Sequence, residues 1–181
     1  MSKKISRRDF IKTTAAAGGA AALMPQTIFS SQNKKNLRIG FIGTGLRGQW
    51  MLWLATKYPD VEIPAICDID DGMISAALKI IKDSGREEPK VYKKNDEDFR
   101  NLVKNEDLDG VYIATPWEWH HPMAIAAMKA GIHVGTEVPA ALTVNECWDL
   151  VNVSEKTEKF CMIMENVCYR RDVMAVLNMV R

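Results

Sequence analysis

Six residues, Gly43-Thr44-Gly45-Leu46-Arg47-Gly48, have the spacing G-x-G-x-x-G. Such a run is suited to bringing backbone amides close to an anion. The first glycine permits a tight turn, the second lets the main chain approach a pyrophosphate, and the third lets a helix lie close on a strand. Here Gly43 makes the turn and Gly45 faces the phosphates, while Leu46 and Arg47 present the first amides of a helix whose positive end favours the anion. The Arg47 side chain adds charge. Asp68 stands 20 residues after Gly48. A carboxylate there accepts hydrogen bonds from ribose hydroxyls and repels a 2′-phosphate, so the cofactor read from these residues is NAD in preference to NADP.

Three further clusters carry groups that could touch a ligand. They are Thr115-Pro116-Trp117-Glu118-Trp119-His120-His121, then Thr136-Glu137-Val138-Pro139, then Glu165-Asn166-Val167-Cys168-Tyr169. Taken singly, a histidine in such a place caps a helix or lies on the surface, and a tryptophan packs in the core. Each cluster, however, ends an expected strand, and ligands of open parallel sheets bind outside the carboxyl ends of the strands.

The elements that must position these groups alternate in type. Leu37–Ile42 is a short apolar run ended by glycine, the pattern of a buried parallel strand. Leu46–Lys57 follows as a helix with Trp50, Trp53 and Leu54 on one face. Val61–Cys67 is the second strand, and Ile74, Ala77, Leu78 and Ile81 mark a helix ending near Gly85. Val91–Tyr92 is a third strand, and Asn95 is placed to cap a helix from Asp96 to Asn105 with Phe99, Leu102 and Val103 inward. Gly110–Ala114 is the fourth strand, and Pro122 suits the start of the next helix, which runs to Ala130. His133–Thr136 is the fifth strand, Thr143-Val144-Asn145-Glu146 opens a helix as a capping box with Val144, Cys147, Trp148 and Val151 in one stripe, and Phe160–Met164 is the sixth strand. Strands separated by helices in this way predict an α/β fold, a doubly wound parallel Rossmann sheet.

The last stretch, Asp172–Arg181, is amphipathic, with Val173, Val176, Leu177 and Val180 in register and neither glycine nor proline to end it. A helix stopped in mid-stripe is expected of an N-terminal fragment. Its uncovered stripe leaves self-association, and so a homo-oligomer, open.

Composition narrows the partners. The chain has 181 residues, 47% hydrophobic and 26% charged, with a formal net charge of +1. That balance gives no basic surplus for nucleic acid, and no apolar run reaches the roughly 18 residues of a membrane span. Cys67, Cys147, Cys161 and Cys168 lack C-x-x-C spacing and are expected to be buried as small hydrophobes, with no metal site. The segment from Met1 to about Ser31 reads as targeting. Ser6-Arg7-Arg8-Asp9-Phe10-Ile11-Lys12 pairs two arginines before an apolar residue and a lysine, and Thr13–Leu23 is a short, mildly apolar stretch rich in alanine and glycine. These are the parts of a twin-arginine signal, read by an export machinery that carries folded proteins to the periplasm. The Rossmann domain then occupies residues 36–181.

The glycine run, Ala114-Thr115-Pro116 with His120 four residues on, Ala130-Gly131-Ile132-His133-Val134 and Glu137-Val138-Pro139 together resemble the Gfo/Idh/MocA oxidoreductase superfamily. The resemblance implies a second α/β domain supplying the substrate pocket, which is missing from this chain. That superfamily usually has Glu-Lys-Pro, its lysine assisting deprotonation of the alcohol; Val138 has no proton to exchange. With Glu-Val-Pro, Trp117-Glu118-Trp119-His120 and Met164-Glu165-Asn166-Val167-Cys168-Tyr169-Arg170-Arg171, the chain is similar to glycosyl hydrolase family 109, the NAD-dependent α-N-acetylgalactosaminidases. What this implies is cofactor contact by Leu46, Arg47, Asp68, Trp117, Glu118, Trp119, His120, Glu137, Val138 and Asn166, and a small-molecule or glycan substrate. It also implies hydrolysis by oxidation, elimination, hydration and reduction, with NAD recycled and with catalytic groups beyond Arg181, so that this chain alone is inactive. An exported sugar oxidoreductase is the alternative.

The leader yields a direct expectation. Replacing Arg7 and Arg8 by lysine should hold the protein in the cytoplasm, as cell fractionation would read. Undiminished arrival of the double variant in the periplasm would refute the twin-arginine reading.

Overall fold

The computed structural model describes residues 36–180, and the expected leader lies outside them. Among the described residues, seven strands form one sheet: β1 Leu37–Ile42, β2 Val61–Glu62, β3 Ala65–Cys67, β4 Lys90–Tyr92, β5 Gly110–Ile113, β6 His133–Thr136 and β7 Cys161–Ile163. The helices are α1 Leu46–Ala55, α2 Asp71–Asp83, α3 Phe99–Asn105, α4 Trp117–Lys129, α5 Val144–Thr157 and α6 Arg171–Val180, with a 3₁₀ turn at Val167–Tyr169. Every strand pair is parallel, in the order β4-β3-β1-β5-β6-β7, with β2 beside β1. The chain winds from β1 out to β4, then returns to the other flank of β1 with β5, as a doubly wound sheet does.

The stretch Val61–Cys67 is two strands, not one. β2 pairs with Leu37 and Arg38, and β3 pairs with Phe41 and Ile42. Pro64 lies between them and has no N–H for the ladder, though its carbonyl accepts from Lys90 N at 2.9 Å.

Alternation along the strands sends side chains into two cores. Phe41, Ile66 and Tyr112 meet Leu52 of α1 and Ile74, Ala77 and Ile81 of α2. Ile42, Ala65, Cys67, Val111 and Ile113 belong with Phe99 and Leu102 of α3, Met123 and Met128 of α4, and Leu150 of α5. Each aliphatic side chain fully buried this way contributes about 1.5–3 kcal/mol. Helices thus cover both faces, and the loops at the strand ends are left to bind.

Several helices differ from expectation in start or facing. On α1 the buried residues are Gly48 and Leu52, while Trp50 and Trp53 stack on each other outside, with Lys57 over the Trp53 ring. α5 buries Leu150 and Val153, so its stripe of Val144, Cys147, Trp148 and Val151 faces outward. In both cases the packed stripe is the neighbouring one, which lies against the sheet or α4. α3 starts at Phe99, because Asn95 Oδ1 accepts from Glu97 N in a local turn rather than capping a helix. α4 starts at Trp117, with Pro116 at its N-cap and Pro122 inside the helix. Residues of α6 are all exposed. All four cysteines are free, but only Cys67 is buried and Cys161 partly so; Cys147 and Cys168 are exposed, against expectation.

The turn from β1 into α1 is set by close contacts. Gly43 has φ +86°, and a Cβ on it would come within 2.7 Å of the Ala114 carbonyl. A Cβ on Gly48 would lie 2.1 Å from the Gly43 carbonyl oxygen, whereas one on Gly45 would meet nothing within 4 Å. Backbone cannot yield as a flexible side chain does. Gly48→Ala should therefore lower the stability of the 181-residue chain by more than about 2 kcal/mol, and Gly45→Ala should change it by less than about 1 kcal/mol, in urea unfolding. Equal effects of the two would refute this account of the turn.

Candidate functional site

The N-terminus of α1 opens into unfilled space. No side chain caps it at Gly45, its first turn holds no acid, and the position facing Gly45 is clear. The amides of the first turn and the helix dipole suit this end of the helix to an anion. A cavity of about 290 Å³ adjoins it, lined by Gly45, Asp68, Ile69, Met73, Thr115 and Trp119 among others. A second of about 300 Å³ lies along Arg47, Trp50, Met51, Met164, Asn166 and Tyr169. Gly45 borders the first and Arg47 the second, so the first turn of α1 stands between them. Two cavities with an anion-binding turn between them fit a dinucleotide, one nucleoside on each flank and the pyrophosphate in the middle.

Asp68 follows β3 and is held by the glycine-rich loop. Its Oδ2 accepts from Thr44 N at 2.5 Å and Thr44 Oγ1 at 3.0 Å, and its Oδ1 accepts from Ile69 N at 2.7 Å and Asp70 N at 3.0 Å. Cys67 lines the same cavity, and burial pushes its thiol up to about 12, with Asp98 and Asp68 adding to the shift. A thiol so placed stays protonated and is no nucleophile.

Glu137 follows β6 and is largely enclosed. Arg47 Nε donates to its Oε1 at 2.7 Å, and the Tyr112 hydroxyl donates a short hydrogen bond to the same oxygen. The hydrogen bond to Glu137 raises the Arg47 guanidinium above its ordinary value, despite some desolvation. Burial, then the hydrogen bond to Glu137, pushes the Tyr112 phenol up. Both groups therefore keep their protons at neutral pH. Val138, next in sequence, is 40% exposed.

His120 is placed otherwise than a ligand contact requires. It is buried, with Nδ1 2.7 Å from the Pro139 carbonyl and Nε2 2.8 Å from the Thr115 carbonyl. The ring ties the end of β5 to the turn after β6. It acts beneath the site, and the first turn of α4 supplies the surface above. There Trp117 and Glu118 are exposed, and Trp119 packs edge-on against Phe99 while lining the first cavity. Asn166 is exposed at the second cavity. The structure thus brings Gly43, Gly45, Asp68 and Trp119 around one space and Arg47 with Asn166 around the other, with Leu46 exposed at the turn between. Among the described residues no cluster of His, Cys, Asp or Glu could hold a metal, and no helix is long and apolar enough to cross a membrane.

Two residues that shape the site gave little signal beforehand. Thr44 occupies a variable place in the glycine run, and only its contact with Asp68 reveals its use. Tyr112 lies in an apolar strand, 25 residues from the carboxylate it serves.

Comparison with known proteins agrees with this architecture. Residues 37–165 match the oxidoreductase family with an NAD-binding Rossmann fold (Gfo/Idh/MocA), and residues 4–24 match the twin-arginine translocation signal sequence. The leader is thus an export signal. A glycosyl hydrolase family 109 protein of Parabacteroides distasonis is 50% identical over 97% of this chain, which spans 41% of that relative. An alpha-N-acetylgalactosaminidase of Tannerella forsythia is 49% identical over 97% of the chain, which spans 42% of it. The chain therefore covers well under half the length of these relatives. Among solved structures, myo-inositol 2-dehydrogenase of Lactobacillus plantarum is similar with a TM-score of 0.67 and 26% identity, covering 81% of this chain and 41% of its own. An NAD-binding protein of Listeria innocua gives a TM-score of 0.66 and 26% identity, covering 80% and 40%. On the strength of the match over residues 37–165 and the geometry of its glycine turn, the chain belongs to the Gfo/Idh/MocA oxidoreductase family, and its cofactor is NAD.

Proposed function

We propose that this chain is the cofactor-holding part of an exported glycosidase that removes terminal α-N-acetylgalactosamine, or a related sugar. The reaction proposed is a cycle of oxidation at C3, elimination across C1 and C2, hydration, and reduction. The observation that carries the reading is the similarity to glycosyl hydrolase relatives, and the make-up of the position beside Glu137 is in keeping with it. Val138 offers no proton acceptor, and the two polar neighbours of Glu137, Arg47 and Tyr112, hold their protons. A dehydrogenase needs a base beside the alcohol it oxidises. The proposed cycle also begins with an oxidation, so its proton transfers are assigned to groups outside these residues, and the glycosidase is favoured by the names of the relatives that are 50% and 49% identical.

NAD, when bound, supplies a hydride acceptor whose redox change cancels over the cycle. The residues of this chain bind and orient it. Amides of Leu46 and Arg47 meet the pyrophosphate, and Asp68 meets the adenosine ribose. Trp117, Glu118, Trp119, Glu137, Val138 and Asn166 border the rest, with His120 fixing the loops beneath them. Such a reaction is one of the recognised departures from hydrolysis by paired carboxylates. The family itself favours a second reading, an exported NAD-dependent sugar oxidoreductase, since its model describes oxidoreductases.

Isotope exchange separates the two in the full-length protein. Cleavage of a nitrophenyl α-N-acetylgalactosaminide in deuterated water should place deuterium at C2 of the released sugar over many turnovers, without net NADH. NADH rising in step with product would establish the oxidoreductase instead. Release of sugar unlabelled at C2 would defeat the elimination route.

A further inference from the structure

We propose that Asp68 is a positioning residue for the phosphate cradle as well as the acceptor for the ribose. The inference rests on the ribose assignment only for its second half; the first stands on hydrogen bonds. A carboxylate offers about four acceptor sites. Those of Asp68 meet four donors from the protein: on Oδ2 the buried amide and hydroxyl of Thr44, and on Oδ1 the exposed amides of Ile69 and Asp70, whose places ribose hydroxyls can take because water can satisfy those two amides. Thr44 is 1% exposed, so water does not reach its hydroxyl or amide as a substitute partner. It is followed directly by Gly45, Leu46 and Arg47, and the amides of Leu46 and Arg47 are those proposed above to meet the pyrophosphate. The carboxylate thus pins the glycine-rich loop to the end of β3, and the loop amides take their places from it.

The consequence concerns cofactor choice. If Asp68 only repelled a 2′-phosphate, removing its charge would convert the site toward NADP. Because it also pins the loop, removing it leaves the buried donors of Thr44 unpartnered and loosens the amides that hold the phosphates common to both cofactors. Affinity for NAD and NADP should then fall together.

The test uses the 181-residue chain, its Asp68→Ala variant, and Asp68→Asn, which keeps one acceptor oxygen and reads the same quantity if the alanine variant does not fold. Amide hydrogen exchange without cofactor should quicken by at least about tenfold at Thr44, Gly45 and Leu46 in the alanine variant, and less in the asparagine variant. Calorimetric titration should show NAD and NADP both bound more weakly than by the wild type. Unchanged exchange at these amides, or NADP bound more tightly by either variant than by the wild type, would overturn the proposal. A wild-type chain without preference for NAD would remove the ribose assignment alone, leaving the exchange result to decide the pinning.

Discussion

With no side chain at Gly48, the first turn of α1 settles against the Gly43 carbonyl, and that approach sets the distance between helix and sheet for everything downstream. It brings Leu52 into the core beside Phe41 and Ile66. It also leaves the start of the helix beside Ala114, just past β5, and β1 and β5 are the strands between which the winding of the sheet reverses. A larger residue would lift the helix, and the amide cradle would lose its place over the strand ends. The glycine turn is therefore a packing constraint before it is a ligand-binding feature.

A second link joins that turn to the far strands. Arg47 starts in α1 and reaches Glu137 at the end of β6, while Tyr112 reaches the same oxygen from β5. A carboxylate enclosed this way is stable only with partners that satisfy its charge, and here they come from two elements. The result ties α1, β5 and β6 together at the carboxyl ends of the strands. His120 does the same from below, spanning the Thr115 and Pro139 carbonyls. Val138, beside Glu137, carries no charge, and the cation at this place is Arg47, committed to holding Glu137.

Much of the architecture was legible in the sequence because it rests on period and punctuation. Every expected strand forms, the capping box at Thr143 and Glu146 is made in both directions, and Ile74, Ala77 and Ile81 are buried as their spacing indicates. What periodicity leaves open is direction. An apolar stripe announces a helix but not which neighbour it meets, so the Trp50–Trp53 and Val144–Val151 stripes face outward while Leu52, Leu150 and Val153 pack. Boundaries that depend on one hydrogen bond were also hidden: Pro64 divides a strand, and Asn95 spends its side chain on a local turn. The glycine run and Asp68 were legible as a pair from spacing alone. Their connection through Thr44, and the service of Tyr112 to Glu137, depend on contacts across 24 and 25 residues that no local pattern encodes.

The polar groups that the sequence gathers at the strand ends share one property once folded: they hold each other still. The Asp68 carboxylate is engaged by four donors, Glu137 by two, and both His120 nitrogens face carbonyl oxygens. The Cys67 thiol, Tyr112 phenol and Arg47 guanidinium are all biased toward keeping their protons. General acid–base catalysis needs a group whose pKa lies near the working pH, and none of these three is tuned that way. They are suited instead to preorganisation, in which a reactant is oriented by side chains that do not move as it reacts. Holding the cofactor is thereby separated from moving protons. In the cycle proposed above, that separation would be an advantage, because the cofactor would have to stay in register through oxidation and reduction while the substrate changes between them.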